Sequence, residues 1–292
     1  MAISAVMVKE LRERTGLGMM DCKKALVEAD GDMDKAIEDL RKKSSLKAAK
    51  KAGRTAANGL LGVKVAEDGT RMAMVEVNIE TDFAAKNEKF IAFVSKVAQT
   101  LFDNGDLGSV SEALNAERET LVQEIGENMT IRRGQVVESA EGALSYYMHG
   151  DQRRGAIVQL TTKSDEVGRD LAMHVVAINP MVVKSEDVSA DVLDKEREIY
   201  LSQAQDSGKP EEIVAKMVEG RVKKYLAEVS LLDQPFVKDG NTKVGATGAD
   251  FAKGIGQRIQ RLTHALICIL QYFINHEYFP ISLNCHLMCV CF

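Results

Sequence analysis

Histidine, cysteine and carboxylate side chains are the groups of this chain that could act in catalysis or bind a metal. His149 in YMHGDQRRG and His174 in LAMHVVA are each isolated in the sequence. His174 lies in an apolar helical stretch, which predicts a packed structural histidine, whereas His149 precedes a glycine in a predicted turn and is more open to a contact role. Carboxylates are plentiful, but no two of them form the isolated pair in an apolar setting that general acid–base chemistry requires.

Short motifs that bind cofactors or carry nucleophiles are missing. The chain has no GxxxxGK[ST] phosphate loop, no GxGxxG after a strand, no HExxH and no GxSxG. Cys22 stands alone near the start, and the other four cysteines lie near the end at positions 268, 285, 289 and 291. This spacing predicts neither a disulfide framework nor the paired CxxC ligands of structural zinc. We therefore expect no catalytic residue, no cofactor and no metal.

One acidic residue and one aromatic residue stand where the apolar pattern of the chain changes. In VNIETDFAAKNEKF, residues 77–90, a strand-like run gives way to a helix-like run at Asp82 and Phe83. The residues alone allow two interpretations. Asp82 is a good N-cap and Phe83 could be a core residue of the first turn, or Phe83 could be an exposed aromatic that enters a pocket of a partner.

Composition limits the class of protein. The chain has 292 residues, 45% of them hydrophobic, and a formal net charge of -5, which allows a sizeable core and argues against bulk affinity for nucleic acid. The first residues, MAISAVMVKELRER, lack the apolar core of a secretory signal, so we expect a cytoplasmic location. The apolar stretch ALICILQYFIN has eleven residues, short of the roughly 20 that span a membrane.

Helical spacing and glycine stops predict a compact three-helix module over residues 1–45. Residues 46–59 are rich in lysine and small residues and predict a basic linker or a loosely helical arm. The lysines of this region are widely spread and no aromatic lies among them, so we interpret them as a solvated face rather than a phosphate-binding patch.

The period changes from residue 60 onward. LLGVKVAEDGTRMAMVEVNI predicts two strands around Asp68-Gly69, and rounds of strands and helices follow, which predicts an α+β core with subdomains at residues 60–140 and 141–186. Residues 187–229 predict two helices in an antiparallel hairpin. The predicted seam of this hairpin consists of Val192, Ile199, Leu201, Ile213, Met217 and Tyr225.

Several long stretches, collinear over roughly residues 3–240, resemble the elongation factor Ts family of bacteria. They are KELRERTGLGMMDCKKAL, ETDFAAKN, IGENMTIRR, LAMHVVAINP and SGKPEEIVAKMVEGRVKKYLAEVSLLDQPFV. The resemblance implies a ubiquitin-associated-like (UBA-like) N-terminal module, a two-subdomain α+β core, a coiled-coil hairpin and a C-terminal module that starts at residues 230–245. It also implies a guanine nucleotide exchange factor that binds elongation factor Tu, expels GDP and does no covalent chemistry.

The resemblance further implies which residues contact the partner. Phe83, with Thr81 and Asp82, is implied to enter between two helices of the GTP-binding domain and to disturb Mg²⁺ coordination. The other implied contacts are Leu11, Arg12, Met19, Met20, Lys23, Ile125, Gly126, His149, Phe236 and Val237. No direct contact with nucleic acid or membrane is expected. The alternative is a binding scaffold that acts through the UBA-like module alone, which would not require the residues around Phe83.

After about residue 245 the sequence departs from the family. Residues 246–292 lose charge and gain cysteine, histidine and aromatic residues. A membrane segment, a metal site at Cys285, His286, Cys289 and Cys291, a lineage-specific partner-binding tail and a replaced end such as a shifted reading frame are the possible interpretations. The abrupt change inside a family domain favours a replaced end.

Overall fold

The computed structural model describes residues 3–139, 144–160, 164–205, 210–245 and 270–273. Helices and small antiparallel sheets alternate in this part of the chain, so the predicted α+β class is confirmed. The chain divides into two compact units. Among the described residues, the first contains those up to Glu138, Gly150–Arg153 and residues 272–273, and the second contains Ser139–His149 and those of Arg154–Gln271.

Three helices begin the first unit: α1 (Ala5–Thr15), α2 (Met19–Glu28) and α3 (Met33–Lys51). The Ser4 and Asp32 side chains accept backbone N–H groups at the starts of α1 and α3, and Gly16 ends α1 at a φ of 71°. The three helices share a small apolar core. Its buried residues are Val8, Leu11, Leu17, Cys22, Ala25, Leu26, Ala29, Ala36 and Leu40.

Helix α3 is longer than the sequence predicts. It continues through residues 46–51, and Ala48 is buried in the main core of the first unit. For these six residues the linker interpretation is therefore corrected and the helical one agrees with the structure, because the small side chains that suggest a flexible segment allow close helix packing instead. The basic side chains are largely paired within the protein. Lys42 contacts Glu38, Lys43 contacts Glu28, Lys47 contacts Asp21 and Arg54 contacts Glu80.

The main core of the first unit lies between a sheet and helices. Strands β1 (Asn58–Val65), β2 (Arg71–Ile79) and β3 (Met129–Glu138) form an antiparallel sheet in that order, and the predicted turn at Asp68-Gly69 joins β1 to β2. Between β2 and β3 the chain forms α4 (Asp82–Ala85), α5 (Glu88–Asn104), α6 (Leu107–Ala113) and α7 (Asn115–Ile125). Helix α5 approaches β1 so closely that a Cβ at Gly62 would lie 2.8 Å from the Val94 carbonyl oxygen.

A bulge in β3 surrounds a buried carboxylate. Glu76 pairs with Arg133 and Val77 pairs with Ile131, so Arg132 is the extra residue. The Glu76 side chain is 0% exposed. Its two oxygens accept hydrogen bonds from Arg132 Nη1 at 2.9 Å and Arg133 Nε at 2.6 Å. The bulge thus brings two neighbouring arginines to one carboxylate.

The second unit is built around a hairpin and a helix. Strands β4 (Leu144–Met148) and β5 (Arg154–Gln159) pair antiparallel and pack against α8 (Asp165–Ile178). Helices α9 (Ala190–Gln205) and α10 (Glu211–Val229) follow, and β6 (Pro235–Phe236) pairs with β7 (Asp239–Lys243). A last strand, β8 (Leu270–Phe273), is next to β5 in the sheet order.

Helices α9 and α10 pack against each other as predicted, but along a different seam. The buried residues are Ala204, Val214, Val218 and Val222, with Leu193, Tyr200 and Leu226 partly buried beside them. The predicted seam residues Ile199, Leu201 and Ile213 are exposed, so that part of the prediction is wrong. Small valines at the centre of the seam allow the two helices to approach closely, and Ile199, Leu201 and Ile213 lie on other faces of the helices. The coiled-coil geometry and the UBA-like character of the first module stay predictions.

The tail beyond residue 245 lies outside the described residues, except for β8. Its four interpretations are therefore untested. Within the described ranges, no helix combines the length and the apolar composition that a membrane crossing requires. In the same ranges, no three histidine, cysteine or acidic residues come together as a metal site.

Candidate functional site

A short turn between β2 and α5 presents Phe83. Thr81 is the N-cap of α4, and its hydroxyl oxygen accepts the Ala84 backbone N–H at 3.2 Å. This corrects the expectation that Asp82 caps the helix. Thr81 occupies the extended cap position, and Asp82 is already the first helical residue. A carboxylate in that first turn still interacts favourably with the positive end of the helix.

Phe83 points away from the core of the protein. Its side chain is 80% exposed, whereas the neighbouring Ala84 and Ala85 are buried in the main core. The Lys86 ammonium lies 5.6 Å from the centre of the Phe83 ring and 3.5 Å from Asp82 Oδ2. The alternative interpretation, in which Phe83 is a core residue, is therefore wrong. An aromatic ring held outward on a turn with a buried base is suited to enter a pocket of another molecule.

The segment after α7 holds this turn from the other side. The Glu127 carboxylate accepts the Thr81 backbone N–H at 2.9 Å and the Thr81 hydroxyl at 2.7 Å, each on a different oxygen. In the opposite direction, the Glu80 carboxylate accepts the Asn128 backbone N–H. Each of the two loops therefore supplies one glutamate carboxylate that accepts a backbone N–H of the other loop. We call Glu80, Thr81, Glu127 and Asn128 the carboxylate clasp.

Ile125 and Gly126 lie immediately before the clasp. Ile125 packs partly buried against the main core, and Gly126 ends α7 at a φ of 90° with its N–H on the Val122 carbonyl. The Gly126 carbonyl accepts a hydrogen bond from Lys51 Nζ at the end of α3. Burial lowers the pKa of Lys51, and the nearby Arg54 lowers it further. The clasp thus connects the turn that carries Phe83 to the segment that contains Ile125 and Gly126. Their role as partner contacts stays a prediction.

The residues predicted on the first module divide into exposed and buried ones. Arg12, Met19, Met20 and Lys23 are exposed, with Met20 at 77%. Leu11 is fully buried between the three helices, so it supports this surface from below and is not itself accessible.

The module is attached to α7 at two points near the clasp. Ser44 hydrogen-bonds to Gln123, and the backbone at Gly16 lies so close to the Glu124 carboxylate that a Cβ there would collide with it. Glu124 also pairs with Lys89 Nζ at 2.6 Å. Because of these contacts, the exposed residues of the module and Phe83 belong to one compact unit.

His149, Phe236 and Val237 lie in the second unit. His149 is in the turn between β4 and β5, as predicted, with its N–H on the Arg154 carbonyl and its Nδ1 3.2 Å from the Tyr147 hydroxyl. Val237 is exposed. Phe236 is buried and stacks on His174 with ring centres 5.9 Å apart, so it is not accessible to a partner.

His174 is a packed structural histidine, as predicted. Its Nδ1 accepts the Val237 backbone N–H at 3.2 Å, so the ring hydrogen lies on Nε2 and is donated to Gln234 Oε1 at 2.9 Å. Gln234 Nε2 in turn donates to the Glu228 carbonyl. This network ties the segment around Val237 to α8. Burial lowers the pKa of His174 below its ordinary value.

The lowered pKa of His174 predicts a loss of stability at mildly acidic pH. The unfolded chain binds a proton at His174 near pH 6.5, while the folded chain resists it down to a lower pH. Below about pH 6.5 the free energy of unfolding should therefore fall, by at most about 1.4 kcal/mol per pH unit, until the folded pKa is reached. Denaturant unfolding of the wild type and His174→Gln between pH 8 and 5 measures this. A wild-type dependence no steeper than that of the variant would contradict the prediction.

Sequence reasoning missed the residues that hold Phe83 in place. Glu127 and Asn128 lie in the IGENMTIRR stretch, but no local pattern connects them to Thr81, which is 46 positions away from Glu127. The sequence also places Lys51 on a solvated face, although it bonds to the Gly126 carbonyl. The one signal that points to the clasp is the acidic character of two loop residues, Glu80 and Glu127, next to buried strand ends.

Known proteins similar to this chain agree on one family. A family model described as Elongation factor TS matches residues 80–264. The chain is 53% identical over 261 residues to elongation factor Ts of Hahella chejuensis, which covers 88% of this chain and 89% of the relative. It is 54% identical over 253 residues to that of Saccharophagus degradans, with 86% and 87% covered. For the protein of Arthrospira platensis the identity is 50% over 247 residues, with 82% and 99% covered.

The family match runs further than the sequence motifs indicate. The departure expected at about residue 245 is corrected, because the match continues to residue 264. The strand-to-helix turn at Phe83 and the α+β elements that follow it up to residue 245 lie within the residues that the family model matches. The three relatives are aligned over more than four fifths of this chain. The chain therefore belongs to the elongation factor Ts family.

Proposed function

We propose that this protein binds elongation factor Tu with GDP bound and promotes the release of GDP and its exchange for GTP. Membership of the family supports this role. The protein acts by binding alone, makes and breaks no covalent bond and uses no cofactor. Its partner is a protein of the translation apparatus, so its place of action is the cytoplasm, and it needs no direct contact with nucleic acid or membrane.

The mechanism depends on antagonism between two ligands of elongation factor Tu. An exchange factor accelerates GDP release only if it binds more tightly to a deformed nucleotide site than to the GDP-bound one. Phe83 supplies the contact that needs such a deformation, by entering between two helices of the GTP-binding domain and disturbing Mg²⁺ coordination. Burial of a phenylalanine side chain contributes about 1.5 to 3 kcal/mol, and this free energy is available to the deformed complex alone.

The observation that carries the proposal is the 80% exposure of Phe83 on a turn whose base is buried. An exposed ring on a firmly held turn loses little freedom on binding, so most of its burial contributes to the complex. The remaining proposed contact residues share accessibility at the surface of their own unit. They are Arg12, Met19, Met20, Lys23, Thr81, Asp82, Ile125, Gly126, His149 and Val237. Leu11 and Phe236 are buried, each in the interior of its own unit.

The exposed methionines of the first module favour a second candidate function. Met19 and Met20 could bind an apolar peptide or domain without any exchange activity, because flexible thioether side chains adapt to many partners. A scaffold of this kind would bind elongation factor Tu or another protein without changing the rate of GDP release.

The rate of GDP release distinguishes the two functions. Elongation factor Tu is loaded with labelled GDP, mixed with excess unlabelled GDP and given the full chain at a tenth or less of its concentration. We expect each molecule of the chain to release many GDP molecules, because exchange regenerates the free factor. Release that stays at the spontaneous rate, or that stops after one equivalent, would reject the proposed function.

A further inference from the structure

The Thr81 hydroxyl has one hydrogen, and the acceptor of that hydrogen determines how the oxygen is oriented. The hydrogen is donated to Glu127 Oε1, so the oxygen lone pairs remain available to the Ala84 N–H. The second Glu127 oxygen accepts the Thr81 backbone N–H. Glu127 therefore orients both the backbone and the side chain of Thr81, the N-cap of α4, two positions before Phe83.

Helix α4 needs such support because it is short. It contains four residues, fewer than an isolated helix requires to be stable in water. Its other supports are the burial of Ala84 and Ala85 and the carbonyls of Phe83 and Ala84, which bond to Lys86 and Asn87. The Ala85 N–H also bonds to the Thr81 carbonyl at 3.2 Å. Glu127 adds the contacts to the backbone N–H and the hydroxyl hydrogen of Thr81.

The two residues that flank Glu127, Gly126 and Asn128, are both held by hydrogen bonds. The carbonyl of the preceding Gly126 accepts Lys51 Nζ, and Gly126 closes α7. The side chain of the following Asn128 donates to the Arg54 carbonyl at 2.8 Å, and its backbone N–H bonds to Glu80. A continuous series of contacts therefore runs from α3 and α7 through Glu127 to the Phe83 turn.

We propose that Glu127 is a positioning residue for nucleotide exchange, which keeps the Phe83 turn in its binding conformation before elongation factor Tu arrives. This inference rests on the proposed function. Glu127 acts through Thr81. Loss of the Glu127 side chain therefore lets the start of α4 fray, and the Phe83 ring then adopts several orientations. Only a fraction of molecules then present the ring correctly, and the apparent efficiency of the insertion falls by that fraction.

The first test uses the free protein and does not depend on elongation factor Tu. Amide hydrogen exchange at Ala84 reports the cap, because this N–H bonds to the Thr81 hydroxyl. We expect Glu127→Ala to accelerate exchange at Ala84 about fivefold or more, as the loss of an N-cap of ordinary strength does. The matched control is Glu117→Ala, which removes an exposed glutamate of α7 that pairs with Lys96. It should leave Ala84 protection unchanged.

The second test is a double-mutant cycle in the GDP release assay. Wild type, Glu127→Ala, Phe83→Ala and the double variant are compared at saturating and at limiting concentrations. We expect Glu127→Ala to lower the maximal release rate about fivefold, with little change in the half-saturating concentration. In the Phe83→Ala background the same change should have no further effect, since Glu127 acts through that ring.

Each outcome has a separate meaning. Unchanged Ala84 protection in Glu127→Ala, or an equal slowing of release with and without Phe83, would overturn the positioning role. A wild type that fails to accelerate GDP release would reject the proposed function while the amide exchange result still decides the role of Glu127 in the turn. If Glu127→Ala does not fold, Glu127→Gln is used, which keeps the side-chain length and one acceptor oxygen. It should give a smaller loss in both tests.

Discussion

Replacing Phe83 by alanine should slow GDP release from elongation factor Tu by an order of magnitude or more while the melting temperature of the protein hardly changes. The ring is 80% exposed, so its removal takes little buried area from the folded protein. A central aromatic of an interface often contributes about 2 kcal/mol or more, which corresponds to a factor of about 30. Thermal unfolding and the stimulated rate of GDP release are measured on the same preparation.

Two control variants of α5 show what the loss of a buried ring and the loss of an exposed apolar side chain do to stability and to exchange. Phe93→Ala removes a buried ring of α5 and should cost about 3 to 5 kcal/mol of stability, because it leaves a cavity. Ile91→Ala removes an exposed apolar side chain of the same helix and should change neither stability nor exchange. A large fall in melting temperature of Phe83→Ala, with exchange per folded molecule unchanged, would contradict the proposed role of the ring.

Removing both arginines of the β3 bulge should destabilise the protein by about 3 to 5 kcal/mol, since it leaves the buried Glu76 carboxylate without a partner. Arg132 and Arg133 bind different oxygens of Glu76 at 2.9 and 2.6 Å. The Glu76 side chain has no contact with solvent, whereas both arginines are partly exposed. The variant Arg132→Ala/Arg133→Ala is compared with the wild type by denaturant unfolding.

A third substitution tests whether the loss of stability comes from the unpaired charge of Glu76. Adding Glu76→Leu to the double variant removes the unpaired carboxylate and should recover most of the lost stability, because an apolar replacement of a whole buried ion pair is often nearly neutral. A triple variant as unstable as the double one would show that packing of the arginine side chains, rather than charge pairing with Glu76, stabilises the bulge.

Local chemistry predicts the parts of the fold that depend on neighbouring residues. Asp68 and Gly69 predict a hairpin, and the structure pairs Val65 with Met72 across it, with Gly69 at a φ of 71°. Isolation in an apolar helix correctly predicts that His174 is structural. The direction of Phe83 is undecided from spacing alone, because a first-turn aromatic fits both a core and a surface position.

Features that depend on distant packing could not be predicted in this way. The continuation of α3 to Lys51 follows from the contact of Ala48 with the main core, which no local propensity reveals. The seam of α9 and α10 contains Val214, Val218 and Val222 rather than the larger Ile213. The fit between the surfaces of the two helices selects these residues, and the sequence of either helix alone does not show that fit. The contact of Glu127 with Thr81 joins two loops through tertiary structure, so its role emerged only from the geometry.

The length of α3 also determines how the first unit can open. Its first half packs with α1 and α2 through Ala36 and Leu40, and its second half packs with the main core through Ala48. A helix shared by two cores transmits fraying from one to the other, so the three N-terminal helices should not unfold locally by themselves. The first unit should instead open as a single cooperative block. Three short helices are only marginally stable by themselves. The lifetime of the folded module should therefore depend on the stability of the main core, which contains the sheet.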